Sequence, residues 1–178
     1  AVFAIVPYYM AGVCKQRIVA YFNSLAEVID VPFILYNFPE HAGNALDAKM
    51  LSKIKHFGMK DSSSNLDLIS ATPNYFLGGD GILSAHEKGA AGFVSATGNA
   101  FASLMAEMED ALKRNDGSAK KVQDRINGLN LPFGPRGIAG LKYAISQKLE
   151  GYPTRVRLPL EEVTAAEKET VDKALRKR

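Results

Sequence analysis

Two short stretches decide which folds this sequence can adopt: Phe33-Ile34-Leu35-Tyr36-Asn37 and, further along, Gly58-Met59-Lys60-Asp61-Ser62. Each contains apolar residues in a run of strand length and ends on polar residues. A helical pattern at residues 47–55, with Asp47 as its predicted N-cap, lies between them. A strand, a helix and a second strand in this order predict two parallel strands that lie side by side.

The same alternation extends in both directions along the chain. Strands are predicted at residues 2–6, 33–36, 57–60, 75–77 and 92–96, and helices at residues 15–29, 47–55, 63–71 and 82–88. After Thr97 the alternation stops, and helices are predicted at residues 99–114, 119–129, 135–148 and 163–177. Because βα crossovers are right-handed, the pattern predicts an α/β protein with a parallel sheet and helices outside it.

Two architectures fit five βα units, and periodicity alone does not choose between them. One is an open doubly wound sheet. The other is the last five units of a (β/α)8 TIM barrel, whose complete form needs about 250 residues. The chain opens without Met on the apolar run Ala1–Val6, and a strand this apolar expects neighbours on both sides. This start favours a partial barrel over residues 1–114, followed by a C-terminal helical region over residues 115–178, and predicts that Ala1 is not the natural N-terminus.

Composition narrows the classes of function. The 178 residues carry a net charge of +3, with 47% apolar and 23% charged residues, as in an ordinary globular domain. No apolar run approaches the roughly 18–20 residues of a membrane span. The basic residues are scattered, which argues against nucleic-acid binding. The single cysteine, Cys14, excludes an intrachain disulfide and a Cys-based zinc site. With no secretion signal visible, a cytoplasmic protein is predicted.

The candidate chemistry lies at the predicted carboxyl ends of the strands, where parallel α/β folds place their functional residues. Tyr36 and Lys60 close neighbouring strands, which lie about 4.8 Å apart, so both side chains can reach one pocket. Lysine is rarely buried without a partner, and an uncharged amine can attack a carbonyl to form an imine. A phenol beside it can relay a proton. The alternative is a lysine that reaches the rim of the sheet or pairs with Asp61.

Several motifs support a family resemblance. Leu35-Tyr36-Asn37-Phe38-Pro39 with Gly43 resembles the Tyr-Asn-x-Pro-x-x-x-Gly motif of the dihydrodipicolinate synthase and N-acetylneuraminate lyase family, and Gly58–Ser62 resembles its Schiff-base lysine motif. The likeness covers the whole chain in order. The segments that are similar to the ends of the family's fourth, seventh and eighth barrel strands are Val6–Tyr9, Gly78–Asp80 and Gly92–Ser95.

The resemblance implies a class I aldolase or lyase that joins or separates pyruvate and an aldehyde without a metal or an organic cofactor. Lys60 would form the imine, and Tyr36 would be the general acid–base. Tyr9 takes the place of a tyrosine that joins a proton relay across a subunit interface, in a homo-oligomer that is a dimer of dimers. The implied substrate-binding residues are Ser62, Gly78 and Asp80 for hydroxyl groups, Val94 and Ser95 beside the pyruvyl end, and His41.

The sequence departs from the family pattern in two places. The Gly-Thr-Thr or Gly-Ser-Thr turn that binds the 2-oxo acid carboxylate belongs to an earlier strand and is absent from these residues. His41 stands where synthases that use aspartate semialdehyde usually carry an arginine, and a neutral histidine lacks the guanidinium fork that suits a carboxylate. Together with Lys60-Asp61-Ser62, this favours a 2-keto-3-deoxy-gluconate aldolase over a 4-hydroxy-tetrahydrodipicolinate synthase or an N-acetylneuraminate lyase.

Other interpretations stay open at this point. His41 fits a solvated loop as well as a substrate pocket, and Asp80 fits a cap of the helix that begins near Ile82 as well as a sugar hydroxyl. Two interpretations involve no catalysis. The first is a doubly wound binding or signalling domain. The second is a catalytically silent paralogue that keeps the fold for regulation or assembly.

Overall fold

A computed structural model describes residues 1–129 and 137–176, and the chain forms two compact units, Ala1–Val94 and Ser95–Arg178. The strands of the first unit are β1 (Val2–Ile5), β2 (Phe33–Asn37), β3 (Gly58–Asp61), β4 (Tyr75–Gly78) and β5 (Gly92–Val94). Its helices are α1 (Lys15–Val28), α2 (Pro39–Ala42), α3 (Ala48–Leu51), a 3₁₀ helix (Leu66–Ala71) and α4 (Ile82–Glu87). The second unit contains a 3₁₀ turn (Thr97–Asn99), α5 (Ala102–Arg114), α6 (Ser118–Asn127), α7 (Gly137–Ser146) and α8 (Ala165–Arg176).

Local sequence signals account for most of these bounds. The five predicted strands form within two residues of their expected ends, and Asp47 caps α3 by accepting a hydrogen bond from the Met50 amide at 2.8 Å. Residues 63–71 differ from the prediction, because the helix there is 3₁₀ and begins only at Leu66. The short helix α2, with Pro39 in its first turn, was not predicted. The predicted start of α7 at Pro135 lies outside the described residues.

The sheet shows which of the two predicted architectures is right. All neighbouring strands are parallel, and their order is β1-β2-β3-β4-β5, the order of the chain. A doubly wound sheet needs a reversal of strand order at its switch point. The described sheet has no such reversal, so the doubly wound interpretation is wrong. A sheet wound in one direction is the arrangement found in barrels of the TIM type.

The core of the first unit lies on one face of this sheet. Strand side chains alternate between faces, and one set packs against the helices: Phe33, Leu35, Met59, Tyr75 and Leu77 meet Ile18 and Phe22 of α1, Leu51 of α3, Leu68 of the 3₁₀ helix and Ala85 of α4. The other face carries Tyr36, Lys60 and Phe76, which are half-buried. All helices that contribute to this core therefore cover the same side, as one-way winding requires.

The second unit is helical. In it, α5 packs against α6 and α7 against α8, with Met105 and Met108 of α5 and Val122 and Ile126 of α6 among its buried residues. None of the helices in the described ranges combines the length and apolar character that crossing a bilayer requires. The boundary predicted at residue 114 assigns α5 to the barrel part of the chain. This boundary stays a prediction.

Replacing Leu35 with Ala tests the one-sided core. Leu35 is fully buried at the centre of β2, so we expect the free energy of unfolding in urea to fall by about 2–5 kcal/mol. Val28, at the end of α1, is 79% exposed, and Val28→Ala should change that free energy by no more than about 0.5 kcal/mol. Equal effects of the two substitutions would contradict this account of the core.

Candidate active site

The two residues with the strongest chemical signal face each other in the structure. The parallel register of β2 and β3 places Tyr36 opposite Lys60, and the Lys60 Nζ lies 3.9 Å from the centroid of the Tyr36 ring. This is a cation–π distance. Within the described residues, Lys60 has no ion-pair partner and is the only lysine or arginine on a strand. The predicted juxtaposition of amine and phenol is thus present on the sheet face opposite the helical core.

Asp61 lies on the other face, so the suggested ion pair between Lys60 and Asp61 is wrong. Alternation along β3 turns the Asp61 side chain towards the core, where it is fully buried. Its Oδ1 accepts hydrogen bonds from Asn37 Nδ2 at 2.7 Å and from Ser63 Oγ at 2.8 Å. Its Oδ2 accepts from Tyr75 Oη at 2.8 Å and from the Asn65 amide at 3.2 Å. The carboxylate is therefore satisfied entirely by neutral donors.

Asn37 is the second buried polar residue of this cluster. It is 1% exposed, stands opposite Asp61 in the register of β2 and β3, and accepts a hydrogen bond from the Leu46 amide through Oδ1 at 3.0 Å. Sequence reasoning missed this pair. The signal was available, because Asn37 and Asp61 follow Tyr36 and Lys60 by one residue each and must share the opposite face. No group of three or more potential metal ligands occurs in residues 1–129 and 137–176.

The buried cluster also perturbs Tyr75. Burial, and after it the hydrogen bond to Asp61, raise the pKa of the Tyr75 hydroxyl well above its ordinary value. The ionised phenol would lose its hydration and face a carboxylate, and both effects favour the protonated form. Tyr75 therefore acts as a donor to Asp61.

Ser62 and Gly78, both predicted to bind substrate, lie against each other. The Ser62 amide donates to the Asn37 carbonyl at 2.9 Å, which fixes the turn after β3. A Cβ on Gly78 would overlap Ser62 Oγ and lie 2.9 Å from the Asp61 carbonyl oxygen. Only glycine fits at the end of β4 without displacing Ser62. Asp80 is half-buried two residues later, and Gly81 rather than Asp80 occupies the N-cap position of α4.

His41 is connected to Tyr36 through an intervening ring. The Tyr36 and Phe38 rings stack with centroids 5.7 Å apart, and the Phe38 and His41 rings lie 4.2 Å apart. His41 itself is exposed in the last turn of α2. Gly43 ends this helix with a φ of 69° and approaches Ala11 closely. His41 thus stands at the outer end of a short aromatic series that begins beside Lys60.

The remaining predicted residues follow β1, end β5 or begin the second unit. Tyr9 follows β1, is 94% exposed and has a left-handed backbone with a φ of 70°. Val94 ends β5 and is exposed. Ser95 is the first residue of the second unit, where its Oγ accepts a hydrogen bond from the Gly98 amide at 3.3 Å.

The chain matches a known protein family over its whole length. The sequence profile described as the Dihydrodipicolinate synthetase family matches residues 1–178, the whole chain. The chain belongs to this family. The family resemblance inferred from the motifs is therefore confirmed.

Individual members of the family are distant in sequence and close in fold. A 4-hydroxy-tetrahydrodipicolinate synthase of Erythrobacter litoralis is 27% identical over 187 residues, which cover 96% of this chain and 64% of that protein. The wild-type sialic acid aldolase of Ruminococcus gnavus has a TM-score of 0.81 at 25% identity, covering 99% of this chain and 64% of that one. A 2-keto-3-deoxygluconate aldolase variant of Sulfolobus solfataricus also has a TM-score of 0.81, at 26% identity, with coverages of 98% and 63%. The chain spans slightly less than two thirds of the length of these relatives.

The raised pKa of Tyr75 predicts how stability responds to alkaline pH. In the unfolded chain a tyrosine ionises near pH 10, whereas folded Tyr75 keeps its proton to higher pH. Above about pH 10 the unfolded state therefore binds fewer protons than the folded one, and stability falls by up to about 1.4 kcal/mol per pH unit. Tyr75→Phe lacks this contribution. The difference in unfolding free energy between wild type and Tyr75→Phe should narrow as the pH rises above 10, and a constant difference would contradict the assignment.

The contact between Ser62 and Gly78 predicts the effect of a single methyl group. Gly78→Ala should push Ser62 and the end of β3 away from β4, with a loss of roughly 1–3 kcal/mol in unfolding free energy. Gly81→Ala is the matched control, because a Cβ there would meet only Ser84 Oγ, at an ordinary 3.6 Å. Thermal unfolding of the two variants distinguishes them. A stability loss in Gly81→Ala as large as that in Gly78→Ala would refute the steric argument.

Proposed function

We propose that the protein is a class I aldolase or lyase in which Lys60 forms a Schiff base with pyruvate or a longer 2-oxo acid. The observation that carries the proposal is the Lys60 amine 3.9 Å from the Tyr36 ring, on a strand face with no other lysine or arginine in the described residues. Membership of the family supports it. So does the catalytic lysine of the Ruminococcus gnavus sialic acid aldolase.

The mechanism that fits these residues is a reversible retro-aldol cleavage. The Lys60 amine attacks the keto carbon, and loss of water gives a protonated imine that can accept an electron pair. Tyr36 first gives its own proton to the hydroxyl that is lost as water, and its phenolate then takes the proton from the C4 hydroxyl as the C3–C4 bond breaks. The aldehyde leaves, and the electron pair of the broken bond becomes that of an enamine. Protonation at C3 and hydrolysis of the imine then release pyruvate and restore the amine.

We assign the other predicted site residues to two parts of the substrate, the aldehyde end and the pyruvyl end. Ser62, Gly78 and Asp80 would hold hydroxyl groups, Val94 and Ser95 would border the pyruvyl end, and His41 would contact the far end of the substrate. Because His41 carries no guanidinium fork, we favour 2-keto-3-deoxy-gluconate or a similar sugar acid as substrate. The second candidate is a 4-hydroxy-tetrahydrodipicolinate synthase, the activity named for the Erythrobacter litoralis relative at 27% identity.

The proposed complete fold is a (β/α)8 barrel in which β1–β5 are strands 4–8 and residues 1–114 belong to the barrel. The one-way order of the strands supports this assignment. Tyr9, exposed and held in a left-handed conformation after β1, would project into a proton relay with a second subunit of a homo-oligomer. A cytoplasmic location remains a prediction from the sequence.

Reductive trapping tests the proposed function directly. Treatment with pyruvate and borohydride should add one reduced pyruvyl group, and peptide mapping should place it on Lys60. Lys60→Arg should form no adduct, because a guanidinium is always protonated and is not a nucleophile. Lys55→Arg, at an exposed position five residues earlier, should be labelled like the wild type.

Tyr36→Phe completes this experiment. The variant keeps the ring beside the amine, so the imine should still be trapped, whereas C–C cleavage should slow by about 10²–10⁴-fold. A wild-type protein that gains no adduct on Lys60 would disprove the proposal and would favour a catalytically silent paralogue.

A further inference from the structure

The mechanism above does not use the buried carboxylate of Asp61, and burying this carboxylate has a large free-energy cost. Taking a carboxylate out of water costs several kcal/mol unless hydrogen bonds satisfy it. Asp61 is fully buried, and the described residues provide neutral donors and no cation to it. An apolar residue would serve a core position better, so the carboxylate calls for a specific role.

Each donor to Asp61 belongs to a segment that also carries a residue of the candidate active site. Asn37 follows Tyr36 on β2. Ser63 and Asn65 follow Ser62 in the turn after β3. Tyr75 begins β4, which ends at Gly78. The Asp61 side chain is thus hydrogen-bonded to the segments that carry Tyr36, Ser62 and Gly78, and it directly follows Lys60 on β3.

We propose that Asp61 is a positioning residue that sets the distance between Lys60 and Tyr36. The inference rests on the proposed function for its catalytic consequence. Tyr36 and Lys60 are opposite each other on the face that points away from the helical core, and Asn37 and Asp61 are opposite each other on the core face, one residue further along both strands. The bond from Asn37 Nδ2 to Asp61 Oδ1, 2.7 Å long, therefore fixes the register at the site itself.

The proposal requires a carboxylate rather than an amide at position 61. In Asp61→Asn, an amide NH₂ in the position of Oδ1 would face the NH₂ of Asn37 and the Ser63 amide, which donates to Oδ1 at 3.2 Å. In the other orientation the NH₂ would face the Asn65 amide, which donates to Oδ2 at 3.2 Å. Asn37 cannot rotate to avoid the first conflict, because its Oδ1 already accepts from the Leu46 amide. The exchange Asn37→Asp with Asp61→Asn removes the conflict with position 37 and leaves the one with the Ser63 amide. Asn at 61 can then donate to Asp at 37, which still accepts from Leu46, while its own oxygen accepts from Tyr75.

The test compares Asp61→Asn, the exchanged double variant, and Thr72→Val as a matched control. Thr72 is buried and bonds His56 Nε2 at 3.1 Å, away from the carboxyl ends of the strands. We expect Asp61→Asn to lower kcat for C–C cleavage by about 100-fold, with a much smaller change in KM, because misplacement by about 1 Å has effects of that size. The double variant should recover part of the loss, because the bond between positions 37 and 61 is restored while the Ser63 amide still faces an NH₂. Thr72→Val should keep the wild-type kcat even if its thermal stability falls as much as that of Asp61→Asn.

A second measurement does not depend on the reaction. After reductive ¹³C-methylation, the Lys60 methyl resonance, assigned by its absence in Lys60→Arg, reports the Tyr36 ring current. The chemical shift of this resonance should change in Asp61→Asn, move back towards its wild-type value in the double variant, and stay unchanged in Thr72→Val. If the wild type forms no pyruvyl adduct, the proposed function fails, and this resonance alone then decides the positioning role.

If Asp61→Asn does not fold, Asn37→Ala takes its place, since it removes the bond and leaves the other donors to Asp61. It should move the Lys60 resonance and lower kcat in the same direction. A kcat and a Lys60 resonance that both match the wild type in a folded Asp61→Asn or Asn37→Ala would overturn the inference.

Discussion

The hydrogen bond between Asn37 and Asp61 lies where the sheet, the core and the candidate active site meet. It joins β2 and β3 at their carboxyl ends, both side chains are buried, and each residue directly follows a residue with candidate chemistry. Parallel strands have evenly spaced backbone hydrogen bonds, so these bonds alone do not favour one register over another. A buried polar pair favours a single register, because any shift would leave both polar groups without a hydrogen-bond partner. The register that places Tyr36 opposite Lys60 is therefore supported from the face of the sheet that packs against the helices.

The two faces of this sheet carry different kinds of side chain. The core face combines apolar side chains such as Leu35, Met59 and Leu77 with one satisfied polar cluster. The opposite face places the Lys60 amine against the Tyr36 phenol, and the carboxylate of β3 does not lie on that face. Because strand side chains alternate, a chain segment as short as Lys60-Asp61 supplies a reactive group to one face and its support to the other. This explains why neighbours in sequence have opposite environments here.

The sequence was sufficient to predict the parallel α/β class, all five strands, and the meeting of Tyr36 with Lys60. These features follow from repeat length and from apolar patterning, which are local properties. The pairing of Asn37 with Asp61 follows from the same register, whereas the bonds of Asp61 to Ser63, Asn65 and Tyr75 could not be predicted in this way. They depend on how the turn after β3 folds and on the register of β4. The late start of the 3₁₀ helix, at Leu66 instead of residue 63, also depends on Asp61. Its carboxylate accepts hydrogen bonds from the Ser63 hydroxyl and the Asn65 amide, and these bonds hold residues 63–65 in a turn. The ring contacts from Tyr36 through Phe38 to His41 were not predicted, because Pro39 was interpreted only as the end of a strand. In the structure Pro39 also begins α2, the short helix that carries His41.

The close contact between Ser62 and Gly78 has a consequence for attempts to change substrate range. The space above Gly78 is already occupied by the Ser62 hydroxyl, and the Asp61 carbonyl closes it from the side. The two positions therefore share one volume. A larger side chain at position 62 would meet the backbone of β4. A smaller residue at position 62 would remove the overlap with a Cβ at position 78 but not its contact of 2.9 Å with the Asp61 carbonyl oxygen. Joint randomisation of the two positions should therefore retain glycine at 78 and vary residue 62 within a fixed volume.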